Sequence, residues 1–291
     1  MPRLRRRAAL TMLFRLATVL ALALVMAPAA WLLAGVVGKA VPHWQWDVLW
    51  RPLQDNSGGL LGPIVGTVIL MGGVLVVAGS VGVLAGVHLA ELAKMRADGS
   101  QRGTWLRMAS DVLSGFPSIV LGYVGYVALV VGLHWEFSLL PAILILSIMV
   151  VPYIAKSTET ALRQVPTGYR EGAEALGMST GYALRKVVLK AAAPGIVTGL
   201  LIALAISGGE TAPLLFTANF NPSVWTGSFI HAHGFGYLTY VVYTFWDTPS
   251  KKANYLSYDA ALILIVMVLL LLVTARIIVA RTQRFAEGAR R

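Results

Sequence analysis

Cysteine is absent from the 291 residues, which excludes disulfides, thiolate nucleophiles and thiolate metal ligands. Charge is nearly as scarce, since Asp, Glu, Lys and Arg together supply 13% of the chain, about half the share of a soluble domain. Acidic groups are the rarer sign, 13 against 24 Lys and Arg. No His-Glu-x-x-His and no paired membrane aspartates occur, so the metalloprotease and aspartyl-protease signatures of an intramembrane hydrolase are missing.

What is present is apolar. Hydrophobic residues make up 57% of the chain and the mean hydropathy is +0.72, a membrane composition. Crossing about 30 Å of hydrocarbon takes about 20 residues of helix, and six runs qualify, at approximately 16–38, 62–90, 111–133, 138–155, 194–218 and 258–275. None of them contains Lys or Arg.

The net charge of +11 would suit nucleic acid, but its distribution fits a membrane better. If the N-terminus is inside, Arg3, Arg5, Arg6, Arg7 and Arg15, Lys94, Arg96, Arg102 and Arg107 all fall on the inner side. So do Lys156, Arg163, Arg170, Arg185, Lys186 and Lys190, and Arg276, Arg281, Arg284, Arg290 and Arg291. Only Lys39, Arg51, Lys251 and Lys252 fall outside. The asymmetry predicts six spans with both termini cytoplasmic and needs no nucleic acid. The basic start and the small residues Ala27 to Ala30 also fit a cleavable leader, but a run of about 22 residues and the consistency of the charge count favour a retained helix. The expected division is 1–60, holding the tail, the first span and an external loop, and 61–291, holding the other five spans.

Three segments carry further information. The external stretch with Trp44, Trp46 and Trp50 reads as an interfacial anchor. The second span is rich in glycine (Gly66, Gly72, Gly73, Gly79, Gly82, Gly86), which lets helices approach closely in lipid. In the third, DVLSGFPSIVLG, Pro117 predicts a kink, and Ser114 and Ser118 stand where they can re-satisfy freed carbonyls or line a path.

The inner segment from about 156 to 193 reads as an elbow. YREGAEAL forms a short helix after Pro166, Gly177 suits its C-terminal cap, and Ser179 opens a second helix running to about Ala193. A helix of about nine residues is marginal alone in water, so it should dock on something. Gly172, Ala173 and Ala175 keep its surface low, and Glu171 and Glu174 favour the positive end of its dipole.

The fifth run holds SGGETAPLL, Ser207 to Leu215. Glu210 lies 16 residues beyond Pro194, about 24 Å along a continuous helix, where an exposed charge costs at least about 2.5 kcal/mol. It should therefore face protein or water, and Gly208, Gly209 and Pro213 predict a bent or partly unwound helix around it. At an external turn, His231 and His233 have no third ligand nearby, so no metal site is assigned. Tyr237, Tyr240, Tyr243, Phe245 and Trp246 read as an amphipathic interfacial segment.

These motifs carry a resemblance. The elbow, with Glu171, Gly172, Ala173 and then Gly177, Val187 and Leu189, resembles the cytoplasmic signature of binding-protein-dependent ABC importer permeases, departing from it at Gly172 and Lys190. GETAPLLFTA, VPTGYREGAEALG, AGVHLAELA and SGFPSIVLG together resemble the PstA-type permease subunits of phosphate importers. The match runs from about Gly59 to Arg281. The resemblance implies an all-α integral membrane fold of six helices, the MetI-like ABC permease fold.

It further implies no catalytic residues in this chain, with ATP and Mg held by partner subunits. Those partners would be a homologous PstC-type permease, two PstB-type ATPase subunits and an external PstS-type phosphate-binding protein. Tyr169, Arg170, Glu171, Gly172, Ala173, Glu174, Ala175 and Gly177 would then form the coupling contact with the ATPase. Ser207, Gly209, Glu210 and Thr211, with Ser114 and Ser118, would line the substrate path, with no metal. Relatives carry an arginine about one turn before Gly-Glu-Thr where this chain has Ile206 and Ser207, so direct phosphate contact through an arginine is not expected here. The alternatives are a permease for another oxyanion such as molybdate or sulfate, and a secondary carrier; the carrier has no use for an ATPase-docking elbow.

Overall fold

A computed structural model describes residues 2–54, 57–92, 101–223, 229–230 and 234–288. Two compact units emerge, residues 1–46 and 47–291. The first is one long helix, α1 (Pro2–Ala40), ending in a tight turn at Val41–His43. Trp44 then meets Trp46 edge to face at 5.8 Å. Leu13, Phe14, Leu24 and Trp31 are exposed along α1, a surface suited to lipid rather than water.

Residues 47–60, grouped in sequence with the first span, belong to the second unit. Leu60 N–H donates to the Val48 carbonyl at 2.6 Å, and Leu53–Gln54 pairs antiparallel with Ser57–Gly58. From there the chain runs through α2 (Leu61–Val87), extended by a wide π turn at His88–Leu92. Next come α3 (Gln101–Gly115) and α4 (Ser118–Gly125), the latter continuing as a π turn over Tyr126–Gly132. The central helix α5 (Leu139–Arg163) precedes the elbow helix α6 (Gly168–Ala175). A continuous helix α7 (Thr180–Gly209) follows, then short α8 (Ala212–Thr217), α9 (Leu238–Phe245) and the last span α10 (Lys251–Gly288).

The core forms where glycines let helices close up. A Cβ on Gly73 would sit 2.2 Å from Ile143 Cδ1, and one on Gly86 would sit 2.5 Å from Thr158 Cβ. The α2–α5 seam thus depends on residues without side chains. Leu70, Val74 and Ala78 pack there against Ile143, Leu146 and Val150. Toward the basic end a second cluster joins Ala90, Leu162, Val188 and Ile196. Helix α5 is 61% buried along its most apolar window and α10 only 6%, which makes α5 the hub and α10 a lipid-facing flank.

Among the described residues the six expected spans correspond to five long apolar helices and one broken pair. The break is the difference: α3 and α4 meet at 99°, far beyond a kink. Pro117 is extended (φ −59°, ψ 130°) and opens α4 rather than interrupting a helix, because proline pushes the residue before it out of the helical region. Ser114 returns its hydroxyl proton to the Ser110 carbonyl at 2.7 Å.

A second difference is at Pro194. The elbow's second helix does not end near Ala193 but runs through Pro194 to Gly209 as one 30-residue element. Thr198 Oγ1 donates to the Pro194 carbonyl at 2.8 Å. A π turn at Leu184–Val188 lies upstream. The aromatic loop also splits: Tyr237 and Phe245 are buried, while Tyr243 and Trp246 are exposed. Phe220 stacks on Tyr240 at 4.2 Å, so part of the expected interfacial belt is a small aromatic core. Burial pushes the Tyr237 hydroxyl pKa upward, with Tyr240 adding to the effect. His231 and His233 lie outside the described residues.

Candidate translocation and coupling sites

Helix α7 stops at Gly209, and Glu210 is extended (φ −77°, ψ 133°) before Thr211 opens α8. The partial unwinding expected from Gly208, Gly209 and Pro213 is thus a complete break. Three elements hold it. Gly208 is flush against Met71 of α2, since a Cβ there would lie 2.9 Å from Met71 Sδ. Pro213 packs on Gly122 of α4, and Thr217 on Gly125. Thr239, in α9, donates its hydroxyl to the Glu210 carbonyl at 3.1 Å.

The pairs Gly122 with Pro213 and Gly125 with Thr217 make α4 and α8 run parallel in one register. The Pro117 break lies five residues before Gly122 and the Glu210 break three residues before Pro213. Two motifs separated by about 90 residues of sequence therefore meet through Gly122 and Pro213, each just beyond a chain break.

The expected path residues are not equivalent. Glu210 and Thr211 are half-buried, Gly209 is exposed with open space beside it, and Ser118 is half-buried. Among the described residues the Glu210 carboxylate has no hydrogen-bond or ion-pair partner. Ser207 is buried and gives its proton to the Leu204 carbonyl at 3.0 Å, so its hydroxyl is committed to its own helix. Ser114 is exposed, with its proton on Ser110. Ile206 stands exposed one turn before the break.

At the basic end, α6 is closed at both ends by its own backbone. The Arg170 and Glu171 N–H groups donate to the Thr167 carbonyl at 2.8 and 3.1 Å. Gly177, at φ +72°, lets its own N–H reach the Glu174 carbonyl and Met178 N–H the Ala173 carbonyl, a left-handed C-terminal closure that disfavours any side chain at 177. Ala173 is buried beneath the helix. Tyr169, Glu171, Gly172, Glu174 and Ala175 are exposed, and Leu176 beyond them is 77% exposed. The helix thus offers a ridge with little side-chain bulk at Gly172.

Arg170 turns away from that ridge. It makes a two-pronged pair with Glu91, 2.5 and 2.7 Å, and its hydrogen bond to that carboxylate raises its pKa despite burial. A second cluster joins the broken span to the hub: Arg107 of α3 and Arg163 both reach Glu159 Oε1, at 2.8 and 2.6 Å, and Arg107 also donates to the Leu89 carbonyl. Sequence reasoning missed Glu91 and Glu159. The available signal was a carboxylate within or just beyond an apolar run, which demands a cation in reach.

Comparison with known proteins follows the same lines. Residues 82–284 match the family described as binding-protein-dependent transport system inner membrane component. The chain is similar to the phosphate transport system permease protein PstA 2 of Mycobacterium bovis, 55% identical over 273 residues, covering 94% of this chain and 89% of that protein. It is also similar to the phosphate transport system permease protein PstA of Xylella fastidiosa, at 34% identity over 250 residues and 85% of each chain. Among solved structures, an inward-facing MetNI methionine ABC transporter superposes with a TM-score of 0.55 at 23% identity, covering 76% of this chain and 94% of that one. That last likeness is one of fold alone.

Proposed function

We propose, on the premise that this chain belongs to the family of binding-protein-dependent transport system inner membrane components, that it is the membrane-spanning permease subunit of an ATP-driven importer of inorganic phosphate. The observation that carries the cargo is the 55% identity over 94% of the chain with a phosphate transport permease. It is a multi-pass membrane protein of the ABC permease fold, seated in this reading in the cell membrane with both termini inside.

The chain supplies no catalysis of its own in this reading. Two ATPase subunits bind ATP and Mg and receive the exposed ridge Tyr169, Glu171, Gly172, Glu174 and Ala175, held in shape by Ala173 and Gly177. A homologous permease chain completes the path and an external binding protein delivers phosphate.

Glu210 is no direct ligand, because a carboxylate repels phosphate by about 4 kcal/mol at 4 Å and an effective dielectric of 20. Its half-buried carboxylate, unpaired among the described residues, instead receives a cation from the second permease and orients it. The Thr211 backbone N–H and the hydroxyls of Thr211 and Ser118 donate to phosphate oxygens.

The test is reconstitution of the chain with the subunits encoded beside it, followed by uptake of labelled phosphate, sulfate and molybdate. ATP-dependent uptake of phosphate, outcompeted by neither other anion, is expected. Uptake of phosphate without the ATPase, or preference for another oxyanion, refutes the proposal.

A further inference from the structure

The guanidinium of Arg170 is turned away from any protein docking on the α6 ridge. Nη1 donates to Glu91 Oε2 at 2.5 Å and Nη2 to Oε1 at 2.7 Å, while Nη2 also donates to the Leu162 carbonyl at 3.3 Å. The side chains are 30% and 12% exposed. One residue therefore ties together the elbow helix, the π turn that ends α2 and the last turn of α5. A planar fork on a carboxylate fixes direction as well as distance, which a lysine's single point charge does not.

Packing around this pair is not solid. A cavity of about 190 Å³ lies under the elbow, bounded by Glu91, Arg170, Glu174, Gly181, Ala183 and Leu184. Atoms lining a void have no partners across it and cannot push through it. Both walls include wide turns, His88–Leu92 with Glu91 and Leu184–Val188, a form of helix frequent at functional sites. The ion pair thus bridges α6 to the end of α2 across this pocket, beside the cluster in which Ala90 packs with Val188.

Helix α2 leads onward. From Glu91 it runs about 30 Å to Met71 at 1.5 Å per residue, and Met71 meets Gly208 beside the Glu210 break. We infer that the Arg170–Glu91 pair is a strut that carries displacement of α6 into α2 and so to the break at Glu210, with Arg170 a positioning residue outside the ATPase contact. The inference rests on reading α6 as the ATPase-docking helix.

The test uses the full reconstituted complex and two conservative variants, Arg170→Lys and Glu91→Gln. Each is expected to assemble and hydrolyse ATP while phosphate moved per ATP falls about tenfold, and the double variant is expected to fall no further than either single one. The chain has no cysteine, so spin labels at Thr167→Cys and His88→Cys, both exposed positions, report the α6–α2 distance. That distance should hold fixed on ATP binding in the parent and spread in Arg170→Lys.

Parental coupling in both variants overturns the strut, as do additive losses in the double variant. A loss confined to assembly, with unchanged phosphate per ATP in the complexes that form, makes the pair merely structural and overturns it too. Failure of the unmutated complex to couple ATP hydrolysis to phosphate uptake instead sinks the reading of the chain as a phosphate permease.

Discussion

An alanine at Gly122 probes the contact on which the break in α7 depends. Its Cβ would stand 2.6 Å from Pro213 Cα and 3.1 Å from the Pro213 carbonyl oxygen. Non-bonded carbons settle at about 3.5–4.0 Å, so α8 must retreat by about 1 Å, and the obstacle is backbone rather than the tip of a flexible side chain. Overpacking of this kind costs about 1–3 kcal/mol.

The same substitution at Gly72 should carry the opposite sign. Nothing lies within 4 Å of a Cβ there, and alanine is favoured over glycine inside a helix by about 1 kcal/mol. Three residues before Pro213 stands Glu210, so the retreat of α8 drags the break with it. Gly122→Ala should lower the melting temperature of the purified chain by a few degrees and cut reconstituted phosphate uptake by about tenfold or more. Gly72→Ala should melt at or above the parent and transport at its rate. Parental melting and uptake in Gly122→Ala would show that α4 and α8 do not touch there, and the contact between the two motifs would go with them.

Three further outcomes are expected. Glu171→Lys reverses a charge on the exposed ridge at the start of α6, and should uncouple ATP hydrolysis from transport; unchanged phosphate per ATP would count against the docking role. Glu210→Gln keeps the shape and removes the charge, so uptake should drop while the complex assembles normally, and wild-type uptake would end the cation-orienting reading. Among the described residues Tyr237 Oη is buried with no hydrogen-bond partner, so Tyr237→Phe should be neutral or stabilising by about 1 kcal/mol in a thermal melt, and a clear loss of stability would reveal a partner for that hydroxyl.

Much of the fold was readable because its signals are local. Hydropathy located the six apolar runs, and the helical architecture follows them. Caps located the elbow, since Gly177 closes a helix through its own φ angle. Glu210 attracted notice because a carboxylate in an apolar run is costly wherever that run ends up. The errors have one origin. Pro117 looked like a kink and is a 99° break, while Pro194 looked like a boundary and is passed without one. A proline's own geometry permits either result, and neighbouring helices decide between them.

The site divides along the same line. The identity of its motifs, the charge asymmetry and the weakness of the helix near Gly208 and Gly209 are properties of short segments, legible without coordinates. That Gly122 receives Pro213, that Ser207 spends its proton on Leu204, and that Arg170 faces Glu91 across 79 residues of sequence were decided only in the tertiary structure. Local propensities act over a few residues of chain, whereas a partner for a buried charge or a bare glycine surface is chosen by which helices pack together.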